Sequence, residues 1–324
     1  MKAIRIMEYG ETDALQLLEM PVPQPRAGEA LVRLKTAGLN FIDIYMRKGV
    51  PRVALPVPFT PGREGAGIVE AIGDNVTDIK PGARVAFTGQ VGSYAEYILV
   101  KAAELIPLPD DISFELGAAF PLQGMTAHYL THDYYPVKAG DTVLVHAAAG
   151  GVGLLLVQWL NHMGARVIGT VSTEEKAETA RAAGAHDIIL YTQQDFVAET
   201  LKLTHGKGAD YIIDGVGKTT FTKDLDAVRR MGWITLFGSA SGPAEPLLPN
   251  SLQAKSITVS GGSLFNHIQS REDLLRRSRD VIDAIRAGWL KFKIDHVFPL
   301  AQASEAQHLL ESRQTSGKVI LSME

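Results

Sequence analysis

Thr142-Val143-Leu144-Val145-His146-Ala147-Ala148-Ala149-Gly150-Gly151-Val152-Gly153 is the stretch on which the fold of this chain turns. A strand predicted over 142–147 runs into a glycine turn and straight into a helix predicted over 152–163, which Gly164 stops. A strand–turn–helix of this kind gathers unbonded backbone N–H groups and the positive end of a helix dipole at one point, where a pyrophosphate can sit. Gly150 and Gly151 allow close backbone approach, and Gly153 lets the helix lie tightly on the sheet. The usual G-x-G-x-x-G pattern has Ala148 in place of its first glycine.

The same alternation continues downstream. Strands are predicted at 166–171, 188–190, 211–214, 233–237 and 257–260, with helical segments between most of them; the first helix, over 173–183, has a Thr/Glu-rich start and ends at Gly184. Repeated units of this length mean a doubly wound parallel sheet, the Rossmann α/β arrangement. Upstream of about residue 125 the pattern differs. Short strands at 30–34, 68–72, 84–87 and 94–100 lie between Gly and Pro turns and suggest a small β-barrel. From about Leu264 one long amphipathic helix, a strand near 296–298, a helix over 304–312 and a last strand at 319–321 can return to the first domain. The expected domains are a barrel built from 1–125 and 265–324 and a Rossmann domain over 126–264. The arginines between Arg271 and Arg279 read as a solvated helix face, with Glu272–Arg276 and Asp273–Arg277 as i,i+4 pairs.

Composition narrows the function. A chain of 324 residues suits two domains, and 46% hydrophobic with 21% charged residues reads as soluble and globular. A net charge of -4 argues against nucleic acid as a partner. The absence of cysteine excludes disulfides, thiol nucleophiles and Cys-ligated zinc. The longest apolar run, about 152–160, is too short to cross a membrane, and the start of the chain lacks the pattern of a secretory leader, so a cytoplasmic location is expected. His128 and His132 have metal-ligand spacing, but Tyr129 stands where H-E-x-x-H needs its Glu. They read as helix-surface or interface histidines, and no metal site is expected.

Three groups of residues carry a family resemblance. Ala147 to Gly153 looks like the Ala-rich glycine turn of the quinone oxidoreductases. Gly62-Arg63-Glu64-Gly65-Ala66-Gly67-Ile68-Val69, then Gly73 and Val76, then Pro81-Gly82-Ala83-Arg84-Val85, is similar to the medium-chain dehydrogenase signature. That signature normally opens Gly-His-Glu; Arg63 stands here in place of the His, a catalytic zinc ligand in the alcohol dehydrogenases. No Cys stands near Gly38–Phe41, and the structural-zinc lobe is missing. The chain thus resembles the zinc-independent medium-chain reductases along its whole length. This implies a GroES-like barrel with a Rossmann domain.

The resemblance also implies a site. Asn40 and Tyr45, in Asn40-Phe41-Ile42-Asp43-Ile44-Tyr45, are the candidate catalytic residues, facing nicotinamide and substrate; an amide and a phenol can each hydrogen-bond a carbonyl oxygen that gains charge. Gln123 and Thr126 lie in a segment near the nicotinamide, and Phe237, Gly238, Ser239 and Ser263 follow strand ends on that side. Ala149, Gly150, Gly151 and Val152 would hold the pyrophosphate. The tip of the second predicted strand carries Ser172, Thr173 and Lys176 where an NAD enzyme normally places Asp or Glu, which suits the 2′-phosphate of NADPH; Glu174 and Glu175 can face solvent. By resemblance Tyr191 and Arg313 join that phosphate site. The expected activity is metal-free, NADPH-dependent reduction of a quinone. The alternatives are a 2-alkenal or enone reductase on the same fold, and a non-catalytic NADPH-binding crystallin or RNA-binding protein. A homodimer is expected, through the open sheet edge near 257–260.

Overall fold

The computed structural model describes residues 1–323, and their backbone contacts divide into two compact units. One comprises Met1–Leu122, Ile268–Arg279 and the chain from Phe292 on; the other comprises Gln123–His267 and Asp280–Lys291.

In the first unit the strand Glu29–Gly38 is the hub. One edge pairs antiparallel with Glu64–Ile72. The other edge is shared: residues 29–33 pair with the strand Tyr97–Lys101, and residues 36–38 pair with the last strand, Lys318–Ser322. The tail therefore completes the first sheet, and it brings Lys318 beside the end of the hub strand, where the Leu39 N–H donates to the Val319 carbonyl at 3.0 Å. Medium-sized apolar side chains such as Val32, Leu34, Val69, Val85 and Phe87 fill the core on one side of this sheet. The predicted strand 94–100 begins later, at Tyr97; before it the Tyr94 carbonyl accepts from Ile4 N–H and Glu96 N–H donates to the Lys2 carbonyl, which sets Ala95 opposite Ala3 of the first strand, Lys2–Ile6.

The second unit holds a six-stranded sheet in which every neighbouring pair is parallel. Numbered within the unit, the strands are Thr142–Val145, Arg166–Val171, Asp187–Leu190, Ala209–Asp214, Val228–Leu236 and Thr258–Gly261, and their spatial order is 3-2-1-4-5-6. This is the Rossmann order, with its reversal between the first and fourth strands. Leu144, Ile168, Ile189, Ile212 and Ile234 form its buried core with Phe196 and Phe221. Helices cover such a sheet on both faces, which is why the strands read as continuous apolar runs. The first strand stops at Val145, two residues short of the prediction, because Ala147 takes a left-handed φ of 51°.

Three expectations about the tail need correction. The single helix expected from Leu264 is two, Leu264–His267 and Arg271–Arg286. The arginines between Arg271 and Arg279 form a solvated face only in part: Arg276 and Arg279 are exposed, the others less so. Arg277 is only 4% exposed, Arg276 reaches Asp273 three residues back at 3.4 Å, and Arg271 donates to the carbonyls of Ala102, Ala103 and Leu105. Residues 280–291, expected with the barrel, instead group with the second unit. Trp289 stacks on His162 at 4.0 Å and meets Trp159 edge-on at 5.2 Å, and Gln158 exchanges two hydrogen bonds with the Lys291 backbone.

Candidate active site

Six parallel strands place their carboxyl ends on one edge, and most of the residues singled out from the sequence follow those ends. Tyr191 follows the third strand, Ser172 the second, Ala149 to Val152 the first, Phe237 to Ser239 the fifth and Ser263 the sixth. The spatial order of the strands therefore lays Tyr191, Ser172, the glycine turn, Phe237 and Ser263 out in a row.

The glycine turn has the features an anion cradle needs. The helix Gly151–His162 has Gly150 as its N-cap, a residue with no side chain to claim the first N–H groups. A Cβ on Gly150 would meet the Ala147 carbonyl at 3.2 Å and no other atom within 4 Å. A Cβ on Gly153 would lie 2.2 Å from the same carbonyl, and one on Gly151 would lie 2.4 Å from the Gln123 amide. Gln123 therefore lies directly over the turn, and Thr126, one helical turn on, is buried. These residues fit a dinucleotide pyrophosphate.

At the second strand tip Thr173 caps the helix Glu174–Ala182 by accepting the Lys176 N–H at 3.3 Å, which sets Lys176 on the first turn. Glu174 pairs with Arg181 at 2.6 Å on the exposed face. Thr192 donates to the Ser172 carbonyl at 2.9 Å, joining the second and third strand ends, and Tyr191 beside it is 48% exposed.

Sequence reasoning missed the loop after the fourth strand, Gly215-Val216-Gly217. Asp214, fully buried, accepts the N–H groups of Val216 (2.6 Å) and Gly217 (3.1 Å) and the Thr220 hydroxyl (2.8 Å). The loop is laced to the Phe237–Ser241 segment by Ala240 N–H to Gly215 O and Ser241 N–H to Val216 O. A Cβ on Gly215 would strike the Phe237 ring at 2.7 Å. The signal was the Asp-Gly-Val-Gly run at the end of a strand, next to the point where strand order reverses. Behind it His146 bonds Asp224 at 2.8 Å and Thr170 at 3.0 Å, all three buried. Burial pushes the Asp224 carboxyl up to about 7. Burial pulls the His146 imidazolium down, but Asp224 and Asp214 together lift it above its ordinary value.

In the first unit Asn40 stands before the helix Phe41–Arg47 and is 5% exposed. Its amide is committed at both ends: Oδ1 accepts from the Lys318 ammonium at 2.9 Å, and Nδ2 donates to Glu64 Oε2 at 2.9 Å. Lys318 and Glu64 are joined directly by a short ion pair. The Asn40 N–H donates to Asp43 at 2.9 Å, and the Tyr94 hydroxyl donates to the same carboxyl oxygen at 3.1 Å. Burial lifts the Asp43 carboxyl to about 7, against these two donors and the Lys318 charge. Tyr45 is half-buried on the same helix, its ring 6.4 Å from that of Phe41. Arg63, where the dehydrogenase signature has a zinc ligand, is half-buried; burial lowers its pKa and the Asp43 charge partly offsets this. Among the described residues no group of three or more His, Cys, Asp or Glu could hold a metal ion. A guanidinium at a ligand position does not fit zinc. His128 is buried rather than on the surface; it bonds Asp280 at 3.0 Å and stacks on His132 at 4.3 Å. Arg313 is exposed just past the helix Ala303–Glu311, with a left-handed φ of 59°.

Residues 26–110 match the family described as alcohol dehydrogenase GroES-like domain, and residues 151–283 match zinc-binding dehydrogenase. The chain is 39% identical to a 2-haloacrylate reductase from a Burkholderia species, over 98% of this chain and 97% of that protein. It is likewise 39% identical to a quinone oxidoreductase of Pseudomonas aeruginosa, over 99% of each. The structure of Escherichia coli quinone oxidoreductase complexed with NADPH superposes with a TM-score of 0.96 at 36% identity, covering 99% of this chain and 100% of that one.

Proposed function

This chain belongs to the quinone oxidoreductase family of medium-chain dehydrogenases and reductases, and we propose that it reduces a quinone or another conjugated carbonyl compound with NADPH and without a metal. The observation that carries this reading is the row of strand-end residues, from Tyr191 to Ser263, across a glycine turn whose N-cap, Gly150, has no side chain to claim the first N–H groups.

Bound NADPH supplies the hydride. The turn at Ala149 to Val152 holds the pyrophosphate through backbone N–H groups and the helix dipole. Ser172, Lys176, Tyr191 and Arg313 take the 2′-phosphate; no carboxylate stands at Ser172 to repel it. Gln123, Thr126, Phe237, Gly238, Ser239 and Ser263 bound the nicotinamide side. Asn40, with both ends of its amide engaged, acts by position, while Tyr45 offers its phenol to the acceptor oxygen. A quinone requires no strong acid in the protein, because the hydroquinone anion is stable enough to collect its proton from water.

A second reading, reduction of an activated carbon–carbon double bond, is favoured by the similarity to a 2-haloacrylate reductase. We also assign a homodimer to the chain, because Thr258–Gly261 is the end strand of its sheet and partly exposed. The deciding experiment is NADPH oxidation with a panel of quinones, enones and haloacrylates, using wild type and Tyr45→Phe. Turnover of at least one class, reduced in the variant at unchanged melting temperature, is expected. If no acceptor is reduced, the enzyme reading falls and a nucleotide-binding role replaces it.

A further inference from the structure

We propose that Lys318, paired with Glu64, is a positioning residue for the acceptor side of the site. This rests on the reading of Asn40 and the segment at Gln123 given above. The ammonium is 1% exposed and the carboxylate is fully buried. A buried ion pair is weak evidence for stability in itself, since apolar residues of similar volume often serve as well. Its geometry points to another use.

Asn40 presents an acceptor and a donor of nearly the same shape, and an amide can turn over to exchange them. Lys318 can only donate and the Glu64 carboxylate can only accept. Placed 2.9 Å from Oδ1 and 2.9 Å from Nδ2 respectively, they permit one orientation of the amide and forbid the other. Glu64 does more with its second oxygen. Oε1 accepts the backbone N–H of Leu122 at 2.5 Å, the residue immediately before Gln123. One carboxylate thus fixes Asn40, at the start of the helix Phe41–Arg47, and the chain leading into Gln123 to a common point. The backbone makes room for it. A Cβ on Gly38 would lie 2.7 Å from Glu64 Oε2, 2.7 Å from Lys318 Cε and 2.1 Å from the Ala118 carbonyl. The last strand delivers Lys318 to this place through its pairing with residues 36–38.

The test compares Lys318→Met, which strands the Glu64 charge, with the double variant Glu64→Gln/Lys318→Met, which removes both charges at similar volume. The single variant should melt well below wild type. The double variant should recover the melting temperature, and its NADPH dissociation constant, read by fluorescence titration, should stay within about threefold of wild type. Its kcat with the best acceptor should nevertheless remain lower by about tenfold or more, because the amide introduced by Glu64→Gln both donates and accepts and leaves Asn40 unoriented. Recovery of kcat together with the melting temperature would make the pair merely structural and overturn the proposal. A measurement on wild type alone guards against variants that do not fold. In protein labelled with 15N-asparagine, the Asn40 side-chain amide should exchange with solvent at least about tenfold more slowly than exposed asparagine amides and sit downfield of them. An exchange rate equal to theirs refutes the lock. The amide measurement stands apart from turnover: wild type inactive with every acceptor, but with a protected Asn40 amide, would defeat the functional reading and leave the lock in place.

Discussion

Lys176, proposed for the 2′-phosphate site, and the buried Asp43 bear on cofactor choice and pH response through single side chains. Lys176 is fixed on the first turn of its helix by the Thr173 cap, while Glu174 turns away to Arg181. A charge-assisted contact to a phosphate is worth on the order of 1.5–3 kcal/mol. Lys176→Ala should therefore weaken NADPH binding about ten- to hundredfold and leave NADH binding nearly unchanged, since NADH has no 2′-phosphate. Titration of both cofactors checks this, and equal losses would remove Lys176 from the phosphate site. Asp43 responds to pH. Its folded pKa of about 7 lies above the 3.8 of an ordinary aspartate, so the folded chain holds the proton longer than the unfolded one. The associated stabilisation is complete below about pH 4 and is lost as pH rises through about 7. Asp43→Asn keeps an acceptor for Asn40 and Tyr94 but cannot ionise. In urea unfolding at pH 5 and pH 8 the variant should gain on wild type by up to a few kcal/mol at the higher pH. A stability difference that is the same at both pH values would show that Asp43 does not titrate in this range.

At the scale of the element, the strand–turn–helix from Thr142 to His162 separates two uses of glycine. Gly150 has an extended backbone that any residue can adopt, and its Cβ would need the Ala147 carbonyl, at 3.2 Å, to give by only a few tenths of an ångström; Gly153 has the same carbonyl 2.2 Å from where its Cβ would be. Gly150→Ala should keep the melting temperature within about 2 °C of wild type, as expected for a surface substitution, yet weaken NADPH binding by crowding the cradle. Gly153→Ala forces the turn apart and should lower both. Calorimetry with cofactor titration distinguishes them, and a Gly153→Ala protein as stable as wild type would contradict the close approach. The elements themselves were largely legible. Apolar runs and glycine stops announced the strands and helices of the second unit, because each depends on neighbours a few residues away. The tail was harder to read. The i,i+4 pairs Glu272–Arg276 and Asp273–Arg277 suggested a solvated helix face, but Arg277 is buried and Arg271 serves the carbonyls of Ala102, Ala103 and Leu105, partners more than 160 positions distant.

For the whole molecule the open question is assembly. The strand Thr258–Gly261 ends the sheet of the second unit, and Met231, within the fifth strand where its pairing to the fourth is interrupted between Val228 and Trp233, is 75% exposed. Two such edges paired about a two-fold axis would cover both. Light scattering at micromolar concentration should give twice the 35.0 kDa chain mass, and a monomer would rule out this interface. By itself the sequence determined the two-part architecture, the glycine turn and the lack of cysteine, since these are properties of local pattern and composition; the order of the strand ends along the sheet came from the tertiary structure. Only the tertiary structure decided what holds Asn40. Its partners Lys318 and Glu64 lie 278 and 24 residues away, and no periodicity links them. Charge in the sequence reads by default as solvated surface; here a lysine and a glutamate are buried together, because the returning last strand brings opposite charges into contact at the end of the hub strand and the missing Cβ of Gly38 leaves them room.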